Sequence, residues 1–205
     1  KMNNLQVKGR RTSSQLSQAR AAAAAAEIIA EEGIEALSMR VLAARLGCSV
    51  GTLTYHFESK QDLLEQVFTQ YTVGTPEFFD NIRYGEHWVE DVLGRVRKLL
   101  PLYPERDTQW RVHLAYWAYS LPSDVEESTI VHKVLRSCHK VCAALFEKAQ
   151  MSGNIDKRHS AHVLGVQFTQ LMQGAIFGML HEPVATREDL VAPIRAFLEQ
   201  LQPRD

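Results

Sequence analysis

Cysteine is scarce in this chain: three residues, Cys48, Cys138 and Cys142, an odd number without the spacing of a disulfide framework. That pattern suits a reducing compartment. No uninterrupted apolar run approaches 18 residues and no secretory core is visible, so a cytoplasmic protein with no membrane partner is expected. GxSxG, HExxH, phosphate-loop and dinucleotide-binding patterns are all missing. The paired carboxylates Glu31-Glu32 and Glu126-Glu127 are neighbours in sequence and diverge on a helix, so they read as solvated faces. The expectation is a non-enzyme with no cofactor and no metal. Strand-like alternation is absent over any useful length, and beyond the alanine tract 21–26 there is no repeat. An all-α fold is what remains.

What is present is an ordinary globular composition of 205 residues, 45% hydrophobic and 23% charged, enough for one or two compact domains. The net charge of −1 is unevenly spread. Residues 1–26 hold five basic residues and no acid; residues 1–60 hold eight basic against five acidic, leaving the remainder at −4. A basic N-terminal part on an acidic body suits a nucleic-acid reader joined to a second, sensing domain.

The most informative stretch is Ser38 to Lys60, SMRVLAARLGCSVGTLTYHFESK. Ser38 is an N-cap residue, and Val41, Leu42, Ala43 and Leu46 give an apolar face at helical spacing. Gly47 supplies the residue that leaves a helix with positive φ. Cys48 falls in the turn and Ser49 caps again. Gly51 to Phe57 is expected to make about two more turns, with Leu53 and Phe57 inward. Two short helices about a tight turn form a helix-turn-helix. Ser49, Thr52, Thr54, Tyr55 and His56 then point outward, a face suited to a DNA major groove.

Gly47, Ser49, Gly51, Thr52, Leu53, Tyr55, His56, Phe57, Ser59 and Lys60, preceded by a helix ending in Gly33, resemble the signature of TetR-type bacterial transcriptional regulators over residues 15–75. Val50 and Thr54 depart from it, standing where a polar or basic residue and a tyrosine are usual. The resemblance implies a flexible basic arm (1–14), a three-helix DNA-binding domain (15–59) and a helical ligand-binding and dimerisation domain (60–205). It implies a ligand-responsive repressor that binds a palindromic double-stranded DNA operator as a homodimer and is released by a small-molecule effector. Carried onto this sequence, Thr52, Tyr55 and Lys60 hold phosphates, with Ser49 capping the recognition helix. Arg40, Val50, Thr54 and His56 face base edges or the groove floor.

Along the rest of the chain, a helix is expected over Gln15–Glu32 with Leu16, Ala19, Ala23, Ala26, Ile29 and Ala30 buried, and another over Lys60–Tyr71, opened by Ser59 and Asp62. Gly74, Thr75 and Pro76 break it. Further helices are expected over His87–Leu100, Asp107–Leu121, Asp124–Ser152 and Lys157–His181, with a last one ending near Leu201. In that one Pro193 fits the first turn if Asp189 is the cap.

The segment 110–119, WRVHLAYWAY, is the most aromatic and is similar to the corresponding helix of the BetI-like branch. Trp110, His113 and Trp117 on one face, with Trp88, Phe146, Phe168 and Met172, are the candidate ligand-binding residues, since small-molecule sites have apolar walls with a few polar groups. Plain core packing is the alternative for each of them. Residues 157–181, apolar nearly all round and interrupted by Gly165, Gly174 and Gly178, resemble with the last helix the family's dimer interface. Two other readings are weighed. One is a helical adaptor whose head no longer reads DNA. The other is a metal or redox sensor using Cys138, His139 and Cys142, which lack the second cluster that a closed zinc site needs.

Overall fold

The structure, a computed structural model, describes residues 5–71, 76–121 and 130–203, and for residues 5–17, 76 and 77 the backbone alone. Among the described residues every regular element is a helix. In chain order these are α1 (Leu5–Glu32), α2 (Met39–Leu46), α3 (Val50–Thr54), α4 (Lys60–Tyr71), α5 (Trp88–Leu99), α6 (Asp107–Ser120), α7 (Ile130–Met151), α8 (Ala161–His181) and α9 (Ala192–Gln200), with short 3₁₀ stretches between some of them. The all-α expectation holds. Gly74, Thr75, Pro122, the Asp124 start expected for α7 and Glu126-Glu127 lie outside the described residues.

Two compact units are present. The first holds α1 to α4 together with α6 from Thr108 onward; the second holds α5, α7, α8 and α9. In the first, α1 begins at Leu5 rather than Gln15, so it runs through most of the segment expected as a flexible arm. That stretch holds no proline, and a single interior glycine costs a helix only about 1 kcal/mol. The buried face of α1 also differs from expectation. Ala21, Ala22, Ala25, Ala26, Ile28 and Ile29 are buried, whereas Ala19 is exposed and Ala23 and Ala30 are half-buried. A run of alanines carries almost no hydrophobic contrast, so the face was set by what α1 packs on, α2 and α4. Gly33, at φ 88, ends the helix as expected. Leu63, Leu64, Val67 and Phe68 of α4 are all buried, as their spacing requires.

The second unit is centred on the pairing of α7 with α8. A Cβ built on Gly165 of α8 would stand 2.6 Å from the Ala143 backbone nitrogen of α7, 2.9 Å from its Cα and 3.0 Å from the His139 carbonyl oxygen. The two helix backbones therefore approach as only a glycine allows. Phe146, Phe168 and Phe197 form a ring cluster with centroids 5.5–6.1 Å apart, and Phe79 adds an edge 6.2 Å from Phe168.

Helix α8 starts at Ala161 rather than Lys157. Asp156 folds 156–158 into a turn by accepting the Arg158 amide at 2.8 Å, Gln150 donates to the Asp156 and His159 carbonyls, and Ser160 becomes the N-cap. His162 lies in the first turn of α8 and His159 precedes it. By length and mean hydropathy (21 residues, 1.3) α8 is apolar enough to cross a membrane. It lacks an unbroken apolar run because Gln167, Gln170 and Gln173 interrupt it, and one side is packed on α7. In α9 Pro193 sits in the first turn as expected, but Val191 is the cap; Asp189 belongs to the 3₁₀ stretch Val184–Val191. Arg187, 4% exposed, donates from Nη1 to the Pro101 carbonyl at 2.7 Å and forks onto Asp107 at 2.6 and 2.9 Å.

Candidate nucleic-acid interface

Capping chemistry builds the helix-turn-helix. The Ser38 hydroxyl accepts the Val41 amide at 3.1 Å and opens α2. Gly47 closes it in the left-handed region (φ 67, ψ 33), and the Cys48 amide returns to the Ala43 carbonyl at 3.0 Å. The Ser49 hydroxyl accepts the Thr52 amide at 3.1 Å and shares a 3.0 Å bond with the Thr52 hydroxyl, which fixes where α3 starts. Inside, Leu37, Leu42, Leu53 and Phe57 are fully or almost fully buried. They hold the angle between the two helices.

Helix α3 is shorter than the two turns expected from Gly51 to Phe57, ending at Thr54. The following amides tighten onto Leu53, whose carbonyl accepts from both His56 and Phe57 at 2.9 Å. The Gln18 side-chain amide of α1 lies 3.4 Å from the His56 carbonyl, and Asp62 of α4 accepts the Glu58 amide at 2.9 Å. Both residues secure the turn that presents Tyr55, and neither stands out in the sequence as part of the site. The Ser59–Asp62 cap at the start of α4 forms as expected, the hydroxyl accepting the Asp62 amide at 3.0 Å.

The outward face is populated as its spacing predicts. Ser49, Val50, Thr52, Thr54 and Tyr55 are exposed, Tyr55 at 83%, and His56 is half-buried with its ring centroid 5.1 Å from that of Tyr55. The Thr54 hydroxyl donates to the Gly51 carbonyl at 3.1 Å, so it offers a neighbour its lone pairs and methyl group. Val50 is 40% exposed, an apolar knob on a polar face. Arg40 of α2 is exposed. Arg45 is taken out of consideration by Glu32 at 3.0 Å and Glu31 at 4.0 Å. Lys60 is half-buried, and its ammonium donates to the Ile34 carbonyl at 3.3 Å. That bond ties the start of α4 to the 3₁₀ turn after α1, a structural duty its sequence position did not announce.

The candidate ligand residues fall into two sets. In the first unit, Trp110, His113 and Trp117 share one face of α6, with His113 centroids 5.2 Å from Trp110 and 4.6 Å from Trp117. Phe68 of α4 covers His113 at 4.9 Å and stacks on Tyr116 at 4.4 Å. His113 is 3% exposed; burial pushes its imidazole down to about 4, so it is neutral at physiological pH. His113 Nδ1 and the Trp117 indole nitrogen are buried with no hydrogen-bond partner among the described residues. In the second unit, Trp88, Phe146, Phe168 and Met172 are all buried, the last three in the α7–α8 core.

Among the described residues no group of three or more His, Cys, Asp or Glu is arranged to hold a metal. Burial raises the thiol of Cys138 and drives that of Cys142 up to about 11, so neither is a ready thiolate.

Residues 22–67 match the family described as bacterial regulatory proteins, tetR family, and residues 89–203 match the BetI-type transcriptional repressor, C-terminal family. No curated protein matches the chain. Solved structures share its fold. A transcriptional regulator from Saccharomonospora viridis in complex with choline is 21% identical with a TM-score of 0.75, over 93% of this chain and 100% of that one. A TetR-family regulator from Agrobacterium tumefaciens is 20% identical with a TM-score of 0.72, over 93% and 100%. NalD of Pseudomonas aeruginosa, the secondary repressor of the MexAB-OprM multidrug efflux pump, is 15% identical with a TM-score of 0.64, over 94% and 99%. With its helix-turn-helix and a C-terminal region of the BetI type, this chain belongs to the TetR family of bacterial transcriptional regulators.

Proposed function

We propose that the protein is a cytoplasmic repressor that binds a palindromic operator as a homodimer and leaves it when a small molecule binds. The observation that supports this most is the outward face of the helix-turn-helix, where Val50, Thr52, Thr54 and Tyr55 stand exposed beside Arg40 on a buried Leu42–Leu53–Phe57 scaffold. Thr52, Tyr55 and Lys60 hold phosphates and set register; Arg40, Val50, Thr54 and His56 read bases. Two heads reach successive major grooves, so half-sites lie about one turn apart or a multiple of it.

The dimer forms through α8 and α9. Val163, Gln167, Gln170, Gly174, Phe177 and His181 make one exposed stripe along α8, with Val163 at 50% and Phe177 at 58% exposure. The apolar exposure of Val163 and Phe177 supports reading this stripe as the α8 side of the association surface. The effector contacts Trp110, His113 and Trp117, with His113 Nδ1 and the Trp117 indole as its polar anchors. Trp88, Phe146, Phe168 and Met172 are candidate apolar effector contacts within the second unit taken by itself. Tryptophan faces favour a planar or cationic effector, the class to which the choline bound by the S. viridis regulator belongs. Helix α4 carries the change, because a ligand weakens DNA binding only by preferring a state in which the heads are wrongly spaced.

The test is an electrophoretic shift on the DNA flanking the protein's own gene, with single-base variants of the bound site. Lys60→Ala weakens all sequences alike and lowers the salt slope by about one. Arg40→Ala costs about 1–3 kcal/mol and relaxes one base position. Because Lys60 also bonds the Ile34 carbonyl, a melting curve checks that its variant is folded. Equal losses on every sequence for both variants would refute the assignment.

A further inference from the structure

The outward side of α7 carries a second candidate site, in the second unit and independent of the effector reading above. Lys133, Arg136 and Lys140 follow one another at helical spacing and are all exposed. Together with His132 and Ser137 they line a cleft of about 340 Å³ whose walls, among the described residues, contain no carboxylate. Lys140 also lines a neighbouring cleft of about 240 Å³, so the two clefts share that side chain. The second cleft is mainly apolar, lined by Phe79, Val141, Ala144 and Leu145. Its acid, Asp80, lies 3.7 Å from Lys148, both half-exposed, a weak pair, and among the described residues Lys133, Arg136 and Lys140 form no ion pair.

One polar group in the apolar cleft is unexplained. The Tyr84 hydroxyl is buried and has no hydrogen-bond partner among the described residues. Burial, followed by the nearby Asp80 charge, raises its pKa, so the phenol keeps its proton and is available as a donor. A buried donor left unpaired costs free energy that a bound acceptor would recover. Loop 80–87 is pinned: Asn154 bonds both the amide and the carbonyl of Gly85 at 3.0 and 2.8 Å, and Arg83 forks onto Asp91 at 2.7 and 2.8 Å. The backbone on both sides of Tyr84 is therefore anchored.

We propose that this double cleft binds an anionic amphiphile, an organic phosphate whose apolar part lies on Phe79, Val141 and Leu145. Its head sits where the clefts meet, at Lys140, with Arg136 and Lys133 supplying charge and the Tyr84 hydroxyl donating to it. Charge complementarity selects the anion. The guanidinium fork, the ammonium groups and the Ser137 hydroxyl suit the several oxygens of a phosphate better than a lone carboxylate. The apolar floor selects against inorganic phosphate.

The test is calorimetric titration of the full-length protein with octyl phosphate below its micelle concentration. Inorganic phosphate and octanol are titrated as separate arms. Saturable 1:1 binding per chain is expected, at least tenfold tighter than either arm. Arg136→Gln with Lys140→Gln should weaken it at least tenfold and remove most of its salt dependence, as screening of an ionic contact requires. Tyr84→Phe, which keeps the ring, should weaken it about fivefold with an unchanged melting curve. Absence of saturable binding overturns the proposal. So does octanol binding as tightly as octyl phosphate, or affinity that none of these substitutions changes, which would place the amphiphile elsewhere on the protein.

Discussion

Replacing Gly165 with alanine adds one methyl group to α8 and should cost the protein about 2 kcal/mol. Two effects of opposite sign decide this. Alanine in a helix interior is favoured over glycine by about 1 kcal/mol. Against that, the new Cβ would stand 2.6 Å from the Ala143 nitrogen and 2.9 Å from its Cα. Those atoms are backbone, so no rotamer change relieves the contact and α7 must move away from α8. The displacement loosens Phe146, Phe168, Ala143 and Leu164 together. Overpacking a close-packed core typically costs about 1–3 kcal/mol, and a backbone obstacle belongs at the upper end, since adding whole methyl groups is felt where density is crystalline. Gly94 is the control: it lies on the exposed side of α5, outside the proposed dimer stripe, and nothing stands within 4 Å of its Cβ position. Gly94→Ala should be neutral or stabilising by up to about 1 kcal/mol. Urea denaturation followed by circular dichroism at fixed protein concentration reads both. A Gly165→Ala variant as stable as the parent, or a Gly94→Ala variant equally destabilised, would refute the close-approach argument.

His113 makes stability depend on pH. Its folded pKa of about 4 lies below the ordinary value near 6.5, so between those limits the unfolded chain binds more protons and stability falls as pH falls. The loss reaches about 3 kcal/mol by pH 4, and denaturation curves of His113→Phe should lack that part of the slope. Phe177→Glu should give monomers by sedimentation that bind operator poorly; a dimeric variant would move the interface elsewhere. Charge at Leu198 is the poorer probe, because that side chain is fully buried within the chain, and Phe197 is half-buried against Phe146 and Phe168. Trp117→Ala, at a half-buried position, should abolish effector release while operator affinity without effector stays near that of the parent; collapse of the melting curve instead would mark Trp117 as packing.

The helix-turn-helix was legible in the sequence because its determinants are local. Ser38, Gly47, Ser49 and Ser59 each act on an amide or a φ angle within four residues, so the cap and the turn can be read without knowing the rest of the fold. The same holds for the outward face of α3, which follows from Leu53 and Phe57 pointing inward. Family membership followed from that stretch. Other features depended on contacts distant in sequence. The buried face of α1 was decided by its neighbours, since alanines supply no contrast of their own. Lys60 turned to the Ile34 carbonyl, 26 positions away, and Gln18 reached the recognition turn. Gly165 gained its meaning only where α7 crosses, while Gly174, the same residue on the same helix, meets nothing within the chain. Spacing along a helix states which side chains share a face; which face finds a partner, and how closely, is a property of the packed molecule.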